Sequence, residues 1–170
     1  MSLRSRFFLR AAPGFLRAAC IKRIAKLTAE AFGSAPRKVS SLDHFAALTV
    51  GLAENALRPG AETAKIEERL SLGAQRLGRK VRSWLGITSM EEAMAVARAL
   101  YGILEIDFRA DAAGRFAVAR CRFSSCYSPA VCRLISSVDQ GLVAGLTGGA
   151  RMTFTRRITE GAAFCAGEVQ

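Results

Sequence analysis

The chain has one histidine, one tryptophan and four prolines in 170 residues. The shortage of histidine narrows the chemistry at once: a thiol–imidazole pair has only His44 to use. A lone histidine near a helix start reads first as a surface or capping residue. No HExxH metal helix, glycine-rich phosphate loop, dinucleotide fingerprint or serine-hydrolase elbow occurs. No uncharged apolar run reaches the ~18 residues a membrane-crossing helix needs. Arg10, Arg17 and Lys22 interrupt any apolar core of a secretory signal. There is no internal repeat and no low-complexity stretch. The five cysteines are odd in number and contain no CxxC. They do not form the framework of a small secreted domain, and free or metal-bound thiols in a reducing, cytoplasmic setting are expected.

Acidic residues are scarce near the N-terminus. Residues 1–33 hold Arg4, Arg6, Arg10, Arg17, Lys22, Arg23 and Lys26 against Glu30 alone, which is +6 of a net charge of +11. Charge concentrated in this way suits an acidic partner: an anionic membrane surface at the inner face of the membrane, or an acidic protein. Nucleic acid suits it less well, because neither zinc-finger spacing nor an aromatic–basic RNA signature is present. Leu16, Cys20, Ile24, Leu27 and Ala31 recur at helical spacing and make one apolar face, with the basic residues mostly off it. Two readings fit. One is an ordinary packed first helix; the other is a basic arm, residues 1–33, that docks on lipid or a partner.

Residues 34–170 read as one domain, long enough to bury a core without staples. A polar linker, SAPRKVSS, leads to a helix capped by Ser41 or Asp43 and closed by Arg58-Pro59-Gly60. Ala61–Leu85 predicts a long helix, with Trp84 capping the core at its end and Gly86 as its stop. Ser89-Met-Glu-Glu92 is a capping box for a further helix to Gly102. The period then falls to two: Leu104, Ile106 and Phe108 alternate with charged residues, Asp111–Gly114 turns, and a second strand runs from Arg115 to Phe123. In that strand Phe116 and Val118 share one face, and Cys121 and Phe123 the other. Ser128-Pro129 starts another helix, with Gly141 and Gly145 spaced for close packing. Two short strands around Glu160-Gly161 complete the chain. The expected fold is α+β: N-terminal helices packed on a four-stranded antiparallel sheet, with a strand-strand-helix-strand-strand C-terminal half.

Three kinds of chemistry can be built on this frame. Cys121, Cys126, Cys132 and Cys165 would supply the four thiolates of a zinc site if the fold gathered them, although their spacings of x4, x5 and x32 match no standard motif. Cys132 is the candidate nucleophile, in the first turn of a helix whose N-terminal partial charge supports a thiolate. Asp139, two turns further along the same face, could orient a substrate. Buried cysteines also serve simply as small apolar residues.

The SMEEA helix, the hairpin and the series Cys121…Cys132…Asp139…Gly141…Gly145…Gly161…Cys165 resemble the superfamily of 4-vinyl reductase domains and L-2-amino-thiazoline-4-carboxylate hydrolase-like proteins, over residues 61–169. The resemblance implies a mixed α/β sandwich that often forms a homodimer, with a pocket between helices and sheet for a small hydrophobic ligand. It also implies zinc bound by cysteines in sensory members, and opening of a thiazoline ring in the hydrolase branch. This chain departs from the pattern at Ala162, where the family has Asp, and at Arg157, where the 4-vinyl reductase type has Cys. The leading expectation is therefore a small-ligand-binding domain, sensory or accessory, with its pocket lined by Leu104, Phe108, Phe123, Cys132, Met152 and Phe154. The alternatives are a hydrolase using Cys132 and Asp139, and a docking protein using the basic arm.

Overall fold

The computed structural model describes residues 14–35 and 38–170. Helices α1 (Gly14–Ala31), α2 (Leu42–Ala56), α3 (Thr63–Leu85) and α4 (Met90–Ile103) come first. They are followed by β1 (Ile106–Ala110), β2 (Arg115–Cys121), a single helical turn at Arg122–Ser125, and α5 (Pro129–Thr147). The chain then forms β3 (Met152–Arg156), a turn at Ile158–Glu160, and β4 (Cys165–Val169). All strand pairs are antiparallel, and the four-stranded sheet has the order β1-β2-β4-β3. The expected α+β class is the observed one.

The helix starts follow from local chemistry. The hydroxyls of Ser41, Ser89 and Ser128 accept from the backbone N–H groups of His44, Glu92 and Val131, and so satisfy donors that a helix start leaves free. Glu92 reaches past the predicted capping box to accept from the Thr88 N–H at 2.8 Å. Asp111 Oδ1 accepts from the N–H groups of Ala113 and Arg115, which fixes the tight β1–β2 turn.

The tightest packing joins α3 to α5. A Cβ built on Gly141 would lie 2.0 Å from Ser71 O, and one on Gly145 would lie 2.4 Å from Gln75 O. A Cβ on Gly78 would meet Leu142 O at 2.4 Å. The contacts ascend in both helices, so the two run parallel with their backbones in contact. On α3, Leu70, Ala74 and Leu85 are buried on the inward stripe, while Leu72 and Trp84 are exposed. Trp84 therefore does not cap the core as predicted: it adjoins Leu85, which takes the inward position at that turn.

Two apolar clusters share the interior. One, between the sheet and α3, α4 and α5, includes Leu85, Val96, Phe108, Phe116, Leu146 and Met152. The other, between α1, α2 and the first turns of α5, includes Ile21, Ile24, Phe45, Leu70, Phe123 and Leu134. The apolar face of α1 is thus built into the core. Burial of Ile21 and Ile24 contributes about 2 kcal/mol each, and that face is not free for lipid. Among the described residues no helix is long and apolar enough to cross a membrane. The sheet's other face carries Arg109, Arg115, Arg120, Thr153 and Glu168, all exposed.

One departure from simple alternation matters for the site. Ile106 pairs with Cys121 but Phe108 pairs with Val118, so β2 has one extra residue there. This bulge turns Cys121 to the inner face shared by Phe116 and Val118, the opposite of the expected side. Strand β2 also stops at Cys121 rather than Phe123. The helical turn that follows directs Phe123 into the second cluster, edge-on to Phe45 with ring centroids 5.7 Å apart.

The glycine seam gives a direct expectation. Gly141→Ala should destabilise the protein by about 3 kcal/mol, because the new methyl meets backbone rather than a movable side chain. Gly51→Ala, in exposed mid-helix with nothing within 4 Å of its Cβ, should stabilise by about 1 kcal/mol. Urea unfolding of both variants checks the contrast.

Candidate functional site

Where the two clusters meet, the helices leave a partly enclosed cavity of about 250 Å3. Every helix and both inner strands contribute to its wall. Cys20 and Ile24 come from α1, Val81 from α3, Leu100 and Tyr101 from α4, and Ile135 and Leu142 from α5. Cys121 and Cys165 come from the sheet. The wall is almost wholly apolar. Arg23, exposed on α1, lies at its rim.

One carboxyl group enters this wall. Asp139 lies deep in the protein, yet it keeps accessible surface, and the space it faces is the cavity. The Tyr101 hydroxyl donates to Asp139 Oδ1 at 2.9 Å. Tyr101 is held in turn by stacking on Phe108, with centroids 4.6 Å apart, and Phe108 stacks on Phe116. Burial pushes the Asp139 carboxyl up to about 6; the Tyr101 hydrogen bond and the nearby positive charge of Arg157 only partly oppose it. Burial and the adjoining carboxylate raise the Tyr101 phenol well above its ordinary range. It remains a donor at all ordinary pH.

Arg157 stands behind the wall. Its Nη1 donates to Ser136 Oγ at 2.7 Å and approaches Cys132 Sγ at 3.9 Å. Its guanidinium lies over the Phe154 ring, 4.0 Å from the centroid. Thr159, in the wall, has a buried hydroxyl with no hydrogen-bond partner among the described residues.

The expected residues divide. Leu104, Phe123, Cys132 and Asp139 line the cavity, and Cys132 and Asp139 share the inner face of α5 as their spacing implied. Phe108 and Met152, each 1% exposed, are packed in the sheet-side core instead. Phe154 is half-buried, edge-on to Phe116 and covered by Arg157. These three sit one layer behind the wall because the inner face of the sheet is already occupied by the aromatic stack. The predicted four-cysteine zinc site is not assembled. Cys121, Cys132 and Cys165 line the cavity, but Cys126 is exposed beyond the end of β2. Among the described residues no three of His, Cys, Asp and Glu are grouped to hold a metal ion. Burial also keeps two of the wall thiols protonated, raising Cys20 to about 11 and Cys121 to about 12. His44 is exposed, with Nδ1 3.0 Å from Ser40 Oγ, and is not part of the cavity wall.

Of the basic set, Arg17 pairs with Glu105 and Lys26 with Glu30, while Lys22 and Arg23 are exposed. Arg4, Arg6 and Arg10 lie outside the described residues. Glu105, at φ 59, takes the left-handed conformation that non-glycine residues rarely adopt. Arg17 and Arg122 both pair with it, and Arg122 also pairs with Asp43. This network ties α1 and α2 to the start of β1 beside the cavity.

No protein-family model, curated protein or solved structure matches the chain. The reading of the site therefore rests on its geometry.

Sequence reasoning did not select Tyr101, Ser136, Arg157, Thr159 or Cys20 as site residues. Arg157 was visible only as a charged residue breaking a family pattern. Nothing in the local sequence of α4 sets Tyr101 apart from its apolar neighbours.

The buried carboxyl sets a pH dependence. The ordinary Asp139 value is 3.8 and the folded value is about 6. Below pH ~4 the group is protonated in both the folded and the unfolded state. Between pH ~4 and ~6 the unfolded chain releases a proton that the folded chain keeps, so stability falls as pH rises. Above that window the penalty is complete, about 3 kcal/mol. Asp139→Asn should therefore be more stable than the parent at pH 8 by about that amount, with the gap closing at pH 4. Urea midpoints at the two pH values measure it.

Proposed function

We propose that the chain binds a small, mainly apolar molecule in the cavity between its helices and sheet, as a sensory or accessory domain. The observation that carries this reading is the cavity itself. It lies beside helices packed to backbone contact, and it is walled by residues such as Val81, Leu100, Ile135 and Leu142. An apolar molecule seated there would bury its surface against this wall. An apolar cavity of ~150 Å3 takes benzene, so about 250 Å3 suits a molecule of about ten non-hydrogen atoms.

Ile135→Phe puts extra volume into the cavity from α5. It should lower affinity for propylbenzene about tenfold, measured by NMR titration, and leave the circular dichroism of the fold unchanged. Equal affinity in the two proteins would remove the cavity as the binding site.

A further inference from the structure

We infer that the ligand of this cavity carries a protonated amine, which pairs with Asp139. The inference rests on the binding reading above and adds the chemistry of the ligand. Asp139 is the only acidic side chain in the wall among the described residues. Among the described residues its Oδ1 has one donor, the neutral Tyr101 hydroxyl, and no basic side chain hydrogen-bonds the carboxylate.

The charged and titratable groups around it are few. Tyr101 comes from α4, Cys121 from β2, Tyr127 from the segment before α5, Cys132 from α5 and Cys165 from β4. None of these supplies a positive charge. Arg23 stands exposed at the cavity rim, and Arg157, the cation that acts on Asp139, is committed elsewhere. Its Nη1 serves Ser136 and Cys132, its Nε faces Glu160 Oε1 at 3.9 Å, and its flat face lies on Phe154. It moderates the field at Asp139 without donating to it.

A buried carboxylate with a single neutral donor is under-compensated, because a buried charge calls for a paired and hydrogen-bonded countercharge. Asp139 lines a cavity whose wall is mostly apolar. An ammonium group entering with an apolar body supplies both the charge and the missing donors. The unpartnered Thr159 hydroxyl, in the same wall, is a further polar atom that the protein leaves unsatisfied.

The test compares three probes of similar size at pH 7.5: 2-phenylethylamine, 2-phenylethanol and propylbenzene. Each is titrated into the full chain and into Asp139→Asn by NMR or calorimetry. The parent should bind the amine at least tenfold more tightly than propylbenzene, with the alcohol between them. Asp139→Asn should lose the amine's advantage and hold propylbenzene within about twofold. Retained propylbenzene binding is also the sign that the Asn variant is folded. Propylbenzene binding with no advantage for the amine, or an amine advantage that survives Asp139→Asn, would overturn the inference and leave the cavity reading standing. Failure of all three probes to bind would overturn the cavity reading as well.

Discussion

The backbone contact between α3 and α5 is the constraint on which the rest of the molecule depends. Gly78, Gly141 and Gly145 leave no room for a Cβ between the helices, so their separation and register are fixed. The two helices run parallel, so the chain must cross back between them. It does so through α4, β1 and β2, and this crossing lays the sheet against one side of the pair. Helices α1 and α2 close the opposite side. The interior holds two apolar clusters, with Leu27, Ile106, Cys121 and Val138 packed against both. The cavity lies where the two clusters meet.

The polar end of the cavity follows from the same geometry. Once α5 is seated, its inner face presents Cys132, Ser136 and Asp139 at spacings of four and three residues, one helical stripe. Tyr101 meets this stripe from α4 and Arg157 meets it from the turn after β3. The aromatic series Tyr101, Phe108, Phe116 and Phe154 runs behind the wall from one partner to the other. It holds the donor Tyr101 at one end and the cation Arg157 at the other. A carboxylate with a fixed neutral donor and a held-off cation is poised to accept a charge from outside the protein.

Much of the architecture was legible in the sequence because it depends on local rules. Three serine caps and a proline at a helix start each act within a few residues, the glycine pair on α5 shows in its spacing, and the structure has all of them. The packed alternative for α1 was also legible, although the stripe that packs includes Ile21 and Ala25 beside Ile24. The wall of the cavity was half legible. Leu104, Phe123 and Cys132 were named for it, and Asp139 only as a partner of Cys132, but Phe108, Met152 and Phe154 were placed in it through simple alternation. The β2 bulge inverted the face on which Cys121 lies, and a bulge leaves no periodic signal. The partners of Asp139 and Cys132 come from 38 and 25 residues away, and spacing along one helix cannot indicate contacts of that range.

The central claim is that the space beside the seam is a binding site, and where a bound molecule lies tests it most directly. Isotope-filtered NOE spectroscopy of the methyl-labelled protein with propylbenzene reports that position. Cross-peaks from the ligand to the methyls of Val81, Leu100, Ile135 and Leu142, which line the cavity, are the predicted result. Cross-peaks confined to the exposed Leu57 and Leu72 would place the ligand on the surface and contradict it.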